Sequence, residues 1–213
     1  MMSKDNKIRI QACFYEIAKF LSEINSFYIY DYEVLTNKSN DVLTNFQKSF
    51  SSQFLNEPKV LKKTTYAICA LIDECVLKKS SKSVKDLWLN KPLQVVYFND
   101  FNSGEKLLLD METEIFNDEQ SLLSICYAVI IKLGYVGSVA NESNRRDRLI
   151  KYIEDKEMIV STMSFNKIVS ETNSCNFKSL FFLRDYIFWI LLIVVFVIYI
   201  YFYYDLSTVT NKL

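Results

Sequence analysis

The sequence contains no histidine. Every mechanism that needs an imidazole base is thereby excluded, from Ser-His-Asp triads to histidine-ligated zinc. Only three glycines and two prolines occur among 213 residues. Sheets with many tight turns need more of both, so their scarcity points to helices joined by few sharp reversals. Charge of one sign is also lacking, because 25 basic residues balance 25 acidic ones. No global field draws the chain to nucleic acid or to an anionic surface. The five cysteines, Cys13, Cys69, Cys75, Cys126 and Cys175, include no C-x-x-C pair. That argues against a zinc site or a disulfide framework. Cys69, Cys75 and Cys126 fall in apolar helical patterns and read as small buried hydrophobes in a reducing compartment. The first residues, Met1 to Lys7, carry no apolar run, and no secretory signal peptide is expected.

What the sequence does have is one long apolar run. From Tyr186 to Tyr204 there are 19 residues without a charge, of which 13 are Leu, Ile, Val or Phe. As a helix this run is about 28 Å long, which matches the hydrocarbon core of a bilayer. The competing reading, a buried core helix, would need apolar packing on every face, which a domain of this size rarely supplies. Lys167, Lys178 and Arg184 precede the run and only Lys212 follows it. This bias places the N-terminal side in the cytoplasm and the short tail 205–213 across the membrane. Trp189 near the leading end and Tyr186 and Tyr204 at the two ends suit the headgroup regions. The organisation expected is a helical cytoplasmic domain over 1–164, a linker over 165–185 rich in Ser and Asn, and a transmembrane helix over 186–204 followed by its tail.

In the remaining sequence, apolar residues recur at helical spacing. Ile10, Phe14, Ile17, Leu21, Ile24 and Tyr28 predict one long helix over about 5–34. The polar stretch 36–41 predicts a break, with a shorter helix over 41–55. Pro58 marks a helix start, and the helix that follows is apolar on most faces between Tyr66 and Leu77, as expected of the central element. Lys78 to Lys82 reads as a basic loop. Short helices are expected near Trp88 and 95–98, and amphipathic helices over 105–116 and 120–133. Gly134 ends the latter as a C-cap, and a charged helix follows over 143–160.

Several of these segments carry ordered motifs. Thr64-Thr65-Tyr66-Ala67-Ile68-Cys69-Ala70-Leu71-Ile72-Asp73-Glu74-Cys75-Val76-Leu77 resembles the signature helix of the DotU/TssL family. Trp88 stands where that family usually has a tryptophan. Phe98 with Ser103-Gly104-Glu105-Lys106 is similar to its Phe-His … Gly-Gly-Glu stretch, with Asn99 in place of the histidine and Ser103 in place of the first glycine. Leu133-Gly134-Tyr135-Val136-Gly137 resembles its Leu-Gly-Phe-x-Gly motif, and Arg145 to Ile150 the start of its next helix. The Pro-Trp-Gly often found after the Asp-Glu helix is replaced by Lys78-Lys79-Ser80-Ser81, which suggests a divergent branch.

The resemblance implies an all-α fold, a cytoplasmic domain of two small packed bundles with one C-terminal transmembrane helix. It also implies a bacterial inner-membrane subunit of a type VI or type IVB secretion machine. Partners would be a large membrane protein of the IcmF/TssM kind and cytoplasmic baseplate proteins, with a homodimer through the transmembrane helix. No enzyme activity, cofactor, metal or nucleic acid is expected. The alternative is a tail-anchored helical adaptor or regulator unrelated to secretion, although no sustained heptad seam supports it.

Among single residues, Asp73 and Glu74 are the sharpest candidates, because they interrupt an apolar helix where an unpaired charge is costly. Either they line a cleft that receives a basic partner segment, or they form ion pairs within the chain, with Lys62, Lys63 or Arg145. Trp88 is either a surface anchor for a partner or a core aromatic. Gly104, Glu105, Gly134 and Gly137 read as structural, serving caps and backbone geometry.

Overall fold

A computed structural model of the chain describes residues 2–26, 31–100, 104–137 and 143–160, all of which lie in one compact unit. The described residues form helices α1 (Lys4–Cys13), α2 (Tyr15–Ser26), α3 (Tyr32–Gln53), α4 (Pro58–Lys79), α5 (Lys82–Asn90), α6 (Leu93–Phe98), α7 (Gly104–Asn117), α8 (Leu122–Lys132) and α9 (Ser143–Asp155). No strand occurs among them. The expected transmembrane helix and the linker before it lie outside the described residues. Among those described, no helix is long and apolar enough to cross a membrane.

The N-terminal stripe forms as its spacing predicts, with Ile10, Phe14, Ile17, Leu21 and Ile24 all buried. The single helix expected over 5–34 does not form. The helical path is interrupted at Phe14, whose amide donates to Gln11 O at 3.1 Å, a step of three residues where a regular α-helix takes four. α2 then ends at Ser26. The Phe14 ring packs 5.0 Å from Phe46, so the interruption sits inside the core contact with α3.

The break expected at 36–41 is absent too, and α3 runs straight through it. Polarity alone does not stop a helix that contains neither Gly nor Pro. Ser39 is fully buried in line with Leu35, Leu43, Phe46 and Phe50, and its hydroxyl is satisfied by Leu35 O at 2.7 Å. Thr36 does the same with Tyr32 O at 2.8 Å. Each hydroxyl bonds back into its own helix, so the polar run continues the apolar face.

Pro58 occupies the first turn of α4 as expected, since its missing N–H is one a helix start leaves unpaired. α4 is the hub. It packs against α2 and α3 on one side, α5 and α6 on another, and α8 on a third. Ala67 to Ile72 are buried without interruption, which is why this stretch shows little amphipathicity. α7 and α9 cover α8, so two groups of helices flank α4, with one apolar cluster continuous through both. Only Ser80 and Ser81 separate α4 from α5, so the basic loop expected at 78–82 is mostly helix.

α8 ends as its glycine predicts. Gly134 takes φ +113°, and the Tyr135 amide reaches back to Ile130 O at 3.3 Å. α9 stops at Asp155 rather than continuing to Val160. A turn with Glu157 at φ +48° then sends Met158 into the core and lays 158–160 along α1. There Gln11, itself buried, donates to Val160 O at 2.9 Å and accepts from Val160 N at 3.1 Å. Lys7 Nζ donates to Glu157 O at 2.8 Å.

Candidate functional site

Asp73 and Glu74 are neighbours on α4, and neighbours on a helix point about 100° apart. The structure gives each its own set of partners. Asp73 is 5% exposed. Its Oδ1 accepts from Trp88 Nε1 at 2.8 Å and from Leu93 N at 2.8 Å, and its Oδ2 from Gln94 N at 3.0 Å. Leu93 and Gln94 are the first two residues of α6, whose N-cap is Pro92. Proline has no side-chain acceptor, so the unsatisfied amides at the start of α6 are met from α4 instead. The negative charge also lies at the positive end of α6. Burial pushes the Asp73 carboxyl up to about 6, against the pull of its three hydrogen bonds. The neighbouring Cys69 thiol is raised well above its ordinary value by burial and by the Asp73 charge, so it stays protonated and inert.

Glu74 is half-buried and faces the other way. Its Oε2 accepts from Val136 N at 3.2 Å and Gly137 N at 3.0 Å, and its Oε1 pairs with Lys78 one turn on. Gly137 holds φ +76°, and a Cβ added there would lie 2.9 Å from Gly104 O. Two sequence motifs therefore meet at Glu74. The 133–137 stretch closes over the start of α7, where Gly104 and Glu105 open the helix, and Tyr135 donates its hydroxyl to Gly104 O at 3.2 Å. Gly137 is the position at which a close backbone approach and a positive φ coincide, and glycine meets both at least cost.

Among the described residues, neither carboxylate takes an ion-pair partner from Lys62, Lys63 or Arg145. Arg145 pairs with Glu112 on α7 through Nε at 2.6 Å and through Nη2. Arg146 caps α8, donating to Tyr135 O at 3.2 Å and Ile131 O at 3.3 Å. Trp88 is 1% exposed, edge-on to Tyr32 with ring centroids 6.0 Å apart. It is a core aromatic whose indole N–H serves Asp73.

In the sequence the two acids stand out, but their partners, mostly backbone amides, do not. Gln11, Lys7 and Arg146 escape notice as well, although each satisfies backbone carbonyls at a helix end or chain reversal. An isolated polar residue on the apolar face of a helix is the available signal for Gln11. The membrane-anchor residues Tyr186, Trp189 and Tyr204 lie outside the described residues.

Beside Glu74 a small groove of about 110 Å³ opens between α2, α4 and the end of α8, lined by Leu21, Asn25, Leu71, Cys75, Lys78 and Gly134. Among the described residues no three His, Cys, Asp or Glu side chains come together in a way that could hold a metal ion. The acids bind one helix start and one turn.

Fold and site together define an all-helical scaffold in which an acidic pair on a central helix fastens the neighbouring elements. A family model described as "Type VI secretion system protein DotU" matches residues 10–207, nearly the whole chain, and the chain belongs to that family. Solved structures agree on the fold. The type VI secretion SciP/TssL structure from enteroaggregative Escherichia coli 042 has 21% identity and a TM-score of 0.59, covering 73% of this chain and 92% of that one. The cytoplasmic domain of TssL from Acinetobacter baumannii has 21% identity and a TM-score of 0.56, covering 75% of this chain and 96% of that one. No curated protein matches the sequence. Membership in this family sets aside the adaptor or regulator unrelated to secretion.

Proposed function

We propose that the chain is the inner-membrane structural subunit of a type VI secretion system. In this reading residues 186–204 cross the bilayer once, with the helical domain in the cytoplasm and the tail 205–213 in the periplasm. The domain docks a large membrane protein of the IcmF/TssM kind and cytoplasmic baseplate proteins, and the transmembrane helix supports a homodimer. It works by tethering, since confinement at the membrane raises the effective concentration of the domain near its partners. The observation that carries the reading is the reach of the family match to residue 207, through the uncharged 19-residue run.

Asp73, Glu74 and Trp88 enter this function through the surface they hold in place. Asp73 and Trp88 are too buried to touch a partner. They fix α5 and α6 against α4, while Glu74 fixes the 134–137 turn at the rim of the groove it shares with Lys78. Gly104, Glu105, Gly134 and Gly137 serve the same turn and helix start.

Three measurements test the proposal. Full-length tagged protein, solubilised in mild detergent, should bring down a large membrane subunit and a baseplate component. If neither is recovered, the assembly reading fails. A reporter active only in the periplasm, fused after Leu213, should be active, and activity of a cytosolic reporter in that position contradicts the topology. Glu74→Ala should weaken partner recovery with helical content unchanged. Full recovery in that variant places the docking surface elsewhere.

A further inference from the structure

A second concavity lies away from the acidic pair. It is a cleft of about 640 Å³ bounded by the first half of α4, by α6 with Asn99 and Asp100, and by α7 and α8. Its floor is aromatic. Tyr66 and Phe98 meet edge to face with centroids 5.1 Å apart, and Tyr97 and Tyr127 also line the cleft. Its charges come from different elements. Lys62 and Lys63 stand on the α4 side, one turn from Tyr66, and form no ion pair among the described residues. Asp100 follows α6, and Asp110 lies on α7. Asp100 is held in place by the Tyr66 hydroxyl, which donates to it at 3.0 Å. Burial, and after it the Asp110 and Glu114 charges, raises the Tyr127 hydroxyl above its ordinary range. At the lip, Val96 is 58% exposed and Tyr97 39% exposed.

Ring faces carry negative quadrupole potential, and a guanidinium over them is attracted more strongly when carboxylates share the site. The aromatic floor with Asp100 and Asp110 therefore favours a cation. Lys62 and Lys63 on α4 favour an anion. An apolar ligand would strip water from the lysines and the aspartates and return no charge of its own. A purely acidic ligand would be repelled by the aspartates and a purely basic one by the lysines.

We propose that this cleft docks a partner protein's segment bearing an arginine and an acidic residue, the arginine seated between the rings and Asp100 and Asp110, the acid at Lys62 and Lys63. The inference rests on the assembly reading above, and it adds a second contact surface with a stated chemistry.

The test uses the full chain produced in cells together with its own secretion genes. A photo-crosslinking residue replaces Val96 at the lip, or, as a control, Leu55, which is exposed and does not line the cleft. Crosslinked peptides are mapped by mass spectrometry. The expected product joins position 96 to a segment carrying both an arginine and an acid. It should fall at least tenfold in the variant Lys62→Glu, Lys63→Glu, Asp110→Lys. Reversing the two charges of the mapped segment should restore it in part, since Asp100 keeps its charge. The three charge-reversed residues are solvent-exposed, so circular dichroism should show unchanged helix content. Four outcomes overturn the proposal: no crosslink above the control, a mapped segment without both charges, a crosslink to a second copy of this chain, or a product indifferent to charge reversal. Detergent co-purification of the large membrane subunit, scored in the same cells, reports separately on the assembly reading.

Discussion

Asp73→Asn should change how the stability of the domain depends on pH, and in a direction opposite to the usual carboxylate. Most folded carboxylates sit below their ordinary value and contribute stability that is lost in acid. Asp73 is raised from 3.8 to about 6 by burial. The folded state then binds the proton more tightly than the unfolded state. Stability from this group is fully present below about pH 4 and is lost as pH rises toward 6. The gap, at about 1.4 kcal/mol per pH unit, comes to about 3 kcal/mol. The asparagine variant copies the protonated side chain. Its carbonyl oxygen can still accept from Trp88 and Leu93, while its amide meets Gln94 N donor to donor, as the acid proton does. The two proteins should therefore differ by no more than about 1 kcal/mol near pH 4, the worth of one hydrogen bond. By pH 7 the variant should be more stable, by up to about 3 kcal/mol. The assay is urea unfolding of the full chain in mild detergent between pH 4 and pH 7. A Trp189→Phe background makes Trp88 the sole indole, and its fluorescence reports on the residue that donates to Asp73. A variant less stable than wild type at pH 7 would refute the reasoning, because the three hydrogen bonds and the start of α6 would then outweigh the cost of burying the charge.

Three further outcomes rest on the same contacts. Gly137→Ala should cost about 1–3 kcal/mol in urea unfolding, from a left-handed φ that disfavours a side chain and a Cβ pressed to 2.9 Å from a backbone oxygen; a loss under about 0.5 kcal/mol would show that the turn can move. Glu74→Ala should speed amide exchange at Val136 and Gly137 by at least tenfold, while exchange at Leu93 and Gln94, which depend on Asp73, stays unchanged. Gln11→Ala removes both bonds to Val160, so exchange at Val160 should rise and the segment after α9 should become more sensitive to protease, with α4 unaffected.

The periodic parts of the fold were legible in the sequence, and the reason is physical. A stripe such as Ile10, Phe14, Ile17, Leu21 and Ile24 must be buried somewhere, and only a helix puts it on one side. Pro58 and Gly134 are likewise tied to a backbone position by their own covalent structure. Expectation and structure part at residues whose role depends on what lies across the core. Ser39 belongs by its polarity to a break, yet its hydroxyl returns to its own helix and the α3 face continues. Phe14 belongs by its spacing to a continuous stripe, yet the packing of its ring on Phe46 coincides with the interruption between α1 and α2. The exit turn at Glu157 takes a positive φ without a glycine, so nothing in the sequence announced that 158–160 would lie back along α1.

The acidic pair shows the limit most sharply. A charge in an apolar helix must find a partner, and both acids do, but among backbone amides more than among side chains. Lys62, Lys63 and Arg145 are the partners a sequence suggests, because a sequence displays charges. It does not display free amides, which every residue but proline carries. The start of α6 and the 134–137 turn each leave two amides unpaired, and each pair is met by one carboxylate from the same turn of α4. Since adjacent residues diverge by about 100°, one Asp-Glu step on one helix can hold α5 and α6 on one side and the start of α7 with the end of α8 on the other. A pair of acids in such a helix is thus a bracket for two groups of helices. A surface near it acquires its shape, and any docking it performs, from the elements that the bracket holds.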